Sequence, residues 1–178
     1  MSKYYEIELP LKDEDIKKLK AGDRVALSGK VLTARDAAHQ RVANILKKKK
    51  KPPFDPSGRV IFYAGPTPSR HSGRLIGAIG PTTSSRMDSY MPMMFKLGVR
   101  ATIGKGPRSE EVKKLHKKYK AIYFVATGGV AALLSRHVSE AKKIAYEDLG
   151  PEAVLELKLY KFPVIVAYDA QGRDAFFH

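Results

Sequence analysis

In the stretch GPTTSSRMDSY, residues 80–90, two threonines, two serines and an arginine separate an apolar run from a methionine-rich segment. Hydroxyls and a guanidinium at that density suit an anion better than a core. Gly80 and Pro81 fit a turn out of LIGAIG, and Thr82, Thr83, Ser84 or Ser85 fits the N-cap of a helix beginning near Arg86. Two readings stand side by side. One is plain N-capping. The other is a strand-to-helix turn whose free N–H groups and flanking arginine cradle an anion, as turns at the ends of parallel strands do. Met87, Tyr90, Met91, Met94 and Leu97 follow at helical spacing and read as core, and Pro92 predicts a late or kinked helix start.

Three further clusters carry polar chemistry. In TARDAAHQR, Arg35 and His39 lie four apart and share a helix face. Thr33 is a candidate cap, and Asp36 a candidate partner for Arg35 or His39. An arginine at a helix start opposes the dipole, which points to a duty other than local stability. In TIGKG, Lys105 stands between Gly104 and Gly106 at a strand end. The full phosphate-loop pattern is absent there, so either a close backbone approach to a ligand or a flexible turn fits. In ATGGVAAL, Gly128 and Gly129 fit close helix–sheet packing better than a dinucleotide fingerprint. His71, His116, His137 and His178 show no metal-ligand spacing.

These turns need elements to hold them. YYEIELPL alternates as a strand, KDEDIKKLKAGD reads as a short helix closing on Gly22, and RVALSGKVLTA reads as two short strands about Ser28 and Gly29. An amphipathic helix follows through Ala38, Val42, Ile45 and Leu46. KPPFDPSG is too rich in proline for regular structure. Thereafter RVIFYAG, LIGAIG, VRATIGKG and KAIYFVATGG read as strands alternating with helices, and KIAYED as a fifth. The closing LELKLYKFPVIVAYDAQGRDAFF reads as strands with a turn at residues 170–172. The alternation predicts an α/β layered domain, partly parallel, with a mixed sheet or small barrel as annex.

The chain has 178 residues and no cysteine, so it offers neither disulfides nor thiolate ligands. No apolar run is long enough for a membrane span, and the start lacks a signal-peptide pattern, which points to the cytoplasm. Lys and Arg number 33 against 18 Asp and Glu, a net charge of +15. Such a balance suits nucleic acid, an acidic partner or an anionic substrate. The basic residues are scattered apart from residues 47–51. That run reads as a solvated helix end, with a nucleic-acid contact as the alternative. Few aromatics lie among the basic residues, which counts against base stacking.

Taken together, TARDAAHQR, YAGPTP, GPTTSSRMDSY, IGKG, ATGGVAALL and YEDLGPEAVLELKLYKFPVIVAYDAQG resemble, in this order, the β subunit of class I fumarate hydratases and of the related L-tartrate dehydratases. The resemblance runs over residues 5–177, and GPTT-x-x-RMD-x-Y and T-x-RD-x-AH are its most specific parts. It implies a swivelling β/β/α domain spanning residues 1–178, a layered mixed sheet with flanking helices. It implies an α subunit partner, in an α2β2-type heteromer, that holds a [4Fe–4S] cluster through its own cysteines, with no metal on this chain. It implies that the pair dehydrates a small dicarboxylate, (S)-malate to fumarate, with L-tartrate as the alternative substrate. By the family pattern Thr82 is the proposed base. Arg86, Arg35 and Lys105 bind substrate carboxylate, and Asp36, His39, Thr83 and Asp88 support them. Ser84 and Ser85 stand where smaller pairs such as Ala-Gly are expected, so the turn should differ locally in shape.

Overall fold

The structure, a computed structural model, describes residues 2–69, 73, 76–126 and 131–176. Among these residues seven strands make one mixed sheet: β1 (Tyr4–Glu8), β2 (Arg24–Thr33), β3 (Val60–Phe62), β4 (Ala101–Gly104), β5 (Ile122–Val125), β6 (Val138–Ala145) and β7 (Val154–Tyr168). Their order is β1-β2-β3-β4-β5-β7-β6, and β2 also pairs with β7, so five of the strands close into a ring. The two long strands make that closure. Along one edge β2 takes β1 on its first half and β3 on its second, while β7 runs antiparallel along the other. β7 likewise takes β5 and β6 end to end.

Ser28 and Gly29 therefore mark no hairpin. Gly29, at φ 110°, sits where the β2–β7 register shifts, and β2 runs on to Thr33. A Cβ there would fall 2.9 Å from Leu9 Cβ, so the bulge also makes room for the chain leaving β1. Two other expectations need correcting. Residues 76–80 of LIGAIG form no strand, only a bridge from Ile76 to Pro68. The closing segment is one 15-residue strand, β7, before its turn. β6 is longer than KIAYED suggested, because β7 offers it a free edge.

The helices are α1 (Asp13–Lys18), α2 (Asp36–Lys47), α3 (Met91–Lys96), α4 (Glu110–Tyr119) and the short α5 (Ala131–Leu134). Strand residues alternate between two cores. Val60, Phe62, Ile103 and Phe124 join the cluster inside the ring, with Leu27, Val31, Leu157 and Val166. Ile61 and Tyr63 face outward, against Ala38 and Val42 of α2, Met91, Met94 and Phe95 of α3, and Val112 of α4. Each large apolar side chain so buried contributes about 1.5–3 kcal/mol. The methionines expected in the core are there, and α3 starts only at Met91 with Pro92 in its first turn. The exposed residues 47–51 close α2 as a solvated end.

Candidate active site

β2, β3, β4 and β5 are parallel neighbours, so their C-terminal ends point the same way. Arg35 follows β2 by two residues, Gly65 lies just past β3, and Lys105 directly follows β4. Gly128 and Gly129, beyond β5, fall outside the described residues. The 82–84 segment is laced across this end of the sheet. Thr82 N donates to Tyr63 O at 2.7 Å, Lys105 N to Thr82 O at 3.3 Å, and Ser84 N to Lys105 O at 3.0 Å. The structure thus brings together Thr82, Thr83 and Lys105 from turns more than twenty residues apart in sequence.

Neither threonine caps a helix. Residues Ser84–Tyr90 form a 3-10 helix with Thr83 at its N-cap position and no side-chain cap bond. Among the described residues, no hydrogen bond engages the Thr82 or Thr83 hydroxyl. Thr82 is half-buried and Thr83 exposed. Capping is therefore not what these hydroxyls do. Lys105 is exposed, and among the described residues no carboxylate pairs with it.

Arg86 reaches across to α2, where its Nε donates to Asp36 Oδ1 at 3.0 Å. Asp36 was expected to hold Arg35 or His39. It holds Arg86 instead, because the 3-10 helix packs against the first turn of α2 and brings that guanidinium closer. Thr33 was a candidate cap for α2. It is buried in β2, donating to Ala153 O and accepting from Leu155 N, and so cross-links β2 to β7. Its place is taken by Glu152, whose Oε2 accepts from Ala37 N at 2.8 Å while its Oε1 lies 3.4 Å from Arg35 Nη2. A bidentate Arg41–Asp148 pair, at 2.7 and 2.8 Å, anchors the segment carrying Glu152 onto α2. Arg35 passes over Gly65, where a Cβ would lie 2.7 Å from Nη1 and 2.8 Å from Pro151 O. Only glycine leaves that passage open.

His39 lies under this rim, 1% exposed, stacked on Tyr90 and edge-on to Tyr63. Its Nδ1 is 2.7 Å from Arg35 O, and a carbonyl only accepts, so Nδ1 carries the proton. Burial, opposed by that backbone bond and reinforced by Arg108, lowers its pKa from 6.5 to about 4. A neutral histidine here holds the start of α2 and titrates well below neutrality. His116 is buried too, against Phe95, Tyr123 and Tyr168, and His137 bonds Tyr160 O. His71 and His178 fall outside the described residues.

Asp88 works from below. Its carboxylate accepts from Arg108 Nε at 2.5 Å and from Ser109 N, at the start of α4, at 2.8 Å. The Arg108 side chain is fully buried, with its guanidinium over the rings of Tyr63 and Tyr123. Burial works against its charge, but Tyr63 and Asp88 outweigh that and raise its pKa. Sequence reasoning missed Arg108, Tyr123, Glu152 and Gly65 as parts of this assembly. Only Gly65 carried a signal, in the repeated Gly-Pro-Thr after an apolar run.

Among the described residues, the rim presents Arg35, Arg86 and Lys105 with only Asp36 and Glu152 paired to them, beside two unbonded hydroxyls. That arrangement can hold a small anion with more than one carboxylate and stabilise charge that builds on it. It fits no iron–sulfur cluster on this chain, which has no cysteine. Among the described residues no group of His, Asp or Glu could hold a metal ion.

The family model described as the fumarase C-terminus matches residues 2–178. A putative L(+)-tartrate dehydratase subunit beta of Methanocaldococcus jannaschii is 40% identical over 171 residues, 93% of this chain and 88% of the relative. The L(+)-tartrate dehydratase subunit beta of Escherichia coli K12 is 31% identical over 169 residues, 93% of this chain and 83% of the relative. Fumarate hydratase 2 of Leishmania major is 34% identical over 157 residues, 87% of this chain but 28% of that longer protein. With a match from end to end and these relatives covering most of its length, the chain belongs to the fumarase C-terminus family.

Proposed function

We propose that this chain is the β subunit of a cytoplasmic hydro-lyase, its residues forming one swivelling β/β/α domain that dehydrates (S)-malate to fumarate with an α subunit. What supports this reading is that Lys105 N bonds Thr82 O just past β4, while Arg86, four residues on from Thr82, reaches Asp36 at the start of the helix that Arg35 opens just past β2. In this reading the [4Fe–4S] cluster belongs to the partner, the complex is of α2β2 type, and this chain is inactive alone. The net charge of +15 then draws dianions to the cleft and matches an acidic partner surface.

The chemistry assigned to this chain is binding and proton removal. Arg86 and Arg35 grip the two substrate carboxylates, and Lys105 faces the carboxylate next to the reacting C–H. As that proton leaves, charge grows on the adjacent carboxylate, and the cations stabilise it more than they stabilise the ground state. Thr82 takes the proton, hydroxide departs from the neighbouring carbon as the double bond forms between the two carbons, and the proton on Thr82 then passes to that hydroxide, which leaves as water and restores the alkoxide. A threonine hydroxyl is a poor base in water. The surrounding cations favour its alkoxide, by the same rule that shifts any acid beside positive charge.

A second reading is favoured by a specific observation: two of the relatives above are named for L(+)-tartrate. There the reaction and roles are the same and the substrate carries one more hydroxyl. The test is to co-express the chain with its α partner without oxygen and measure kcat/KM for both acids in competition. Malate preferred supports the first reading and tartrate the second. Full activity in a Thr82→Ala, Arg86→Ala, Lys105→Ala triple variant would remove the site assignment from both.

A further inference from the structure

Under the rim runs a buried hydroxyl relay that the roles above leave unused. Tyr123 on β5 is fully buried, and its Oη lies 2.6 Å from Gly106 O and 2.8 Å from Ser84 Oγ. A phenol has one proton and a carbonyl only accepts. Tyr123 therefore donates to Gly106, and Ser84 donates to Tyr123. One hydroxyl thus ties the turn bearing Thr82 to the turn bearing Lys105. The backbone ties the same turns by Ser84 N to Lys105 O at 3.0 Å and, more weakly, by Lys105 N to Thr82 O at 3.3 Å, and the Tyr123 hydroxyl adds a side-chain link to that pair.

The surroundings are shaped for this relay. Ser84 is 0% exposed and sits so close over Gly104 that a Cβ on the glycine would lie 1.8 Å from Ser84 Oγ. The Tyr123 ring is fixed by Arg108, whose guanidinium lies 5.3 Å from the ring centre, and by Tyr168 edge-on at 5.2 Å. Burial pushes the Tyr123 phenol above its ordinary pKa, so the proton stays on it.

Building on the hydro-lyase reading, we propose that Tyr123 and Ser84 are positioning residues that set the separation between Thr82 and Lys105. Being fully buried, neither meets substrate. Each acts by holding the proposed base and the proposed carboxylate-binding cation at one spacing. A displacement of about 1 Å in such a pair costs up to ~100-fold in rate.

The test compares Tyr123→Phe in the α-containing complex with the same change made on a Lys105→Ala background, by kcat/KM for malate and tartrate. The expected result is a loss of about tenfold or more in the otherwise native complex, shrinking to threefold or less once the Lys105 amine is gone. Equal losses on both backgrounds mean general damage to the fold and overturn the proposal, as does no loss on the native one. Ser84→Ala removes only one oxygen and repeats the test should Tyr123→Phe not fold. If the native complex turns over neither acid, the hydro-lyase reading itself fails and takes the positioning role with it.

Discussion

Gly104→Ala puts the tightest contact of the site under load. The new Cβ would fall 1.8 Å from Ser84 Oγ, 3.1 Å from Ser84 Cβ and 3.0 Å from Tyr63 Cδ2. Ordinary contact begins near 3.4 Å, so Ser84 must withdraw by about 1.5 Å. β4 and Tyr63 are both in the packed sheet and yield little, which leaves the 82–84 segment to move. Overpacking of this kind costs ~1–3 kcal/mol, and losing the Ser84–Tyr123 bond adds ~1 kcal/mol. The expected destabilisation is therefore about 2–4 kcal/mol, read by urea unfolding of the isolated chain. In the complex, Thr82 moves with its neighbour, and kcat/KM should drop by about 100-fold. Adding Ser84→Ala removes the worst overlap but leaves the Cβ contacts, so it should restore part of both losses. A Gly104→Ala chain with unchanged unfolding midpoint and kcat/KM within twofold of native would refute the packing argument.

Other perturbations separate the remaining roles. Gly65→Ala closes the passage of Arg35 between β3 and Pro151, and KM for the dicarboxylate should rise several-fold with less change in kcat. Asp88→Ala leaves the buried Arg108 charge unpaired and strips Ser109 N of its acceptor, for an expected loss of about 3–5 kcal/mol in urea unfolding. His39 and His116 have folded pKa values of about 4 and about 3, lowered chiefly by burial. Below the unfolded value near 6.5 the unfolded chain binds more protons, so stability is complete above 6.5 and falls as pH drops toward the folded values. At pH 5 each histidine should cost about 2 kcal/mol, and urea midpoints across pH 7 to 4 would show it unless both sites are hydrated. Arg86→Lys keeps the charge but loses the planar fork, so kcat/KM should fall at least tenfold and a lysine of native activity would argue against a bidentate grip.

The polar turns were legible because each follows an apolar run directly. Arg35 and Lys105 could be placed at strand ends from local pattern, and parallel strands then bring such ends together, whereas Thr82 follows no strand and reaches them through its backbone bonds to Tyr63 and Lys105. What was not legible depends on distant partners. Asp36 finds Arg86 fifty residues away, and Tyr123 finds Ser84 thirty-nine away, so neither pairing leaves a trace in local spacing. Tyr123 sits in a buried strand run where any aromatic would pass for packing. Gly29 looked like a hairpin because a bulge and a tight turn both need a glycine at positive φ. Residues 76–80 are apolar for packing rather than pairing: Ile79 is 1% exposed, in the ring core, without joining a strand. Glu152 stands in for the missing cap of α2 from the far side of the chain, which no reading of TARDAAHQR would suggest.

We propose that this chain supplies the cationic, proton-removing half of a pocket completed by a second protein. This is tested most directly by assaying dehydration of malate and tartrate by the chain alone, the α partner alone and the two together, all under anaerobic conditions. Turnover should appear only in the mixture and be lost with Thr82→Ala. Turnover by this chain on its own would contradict it.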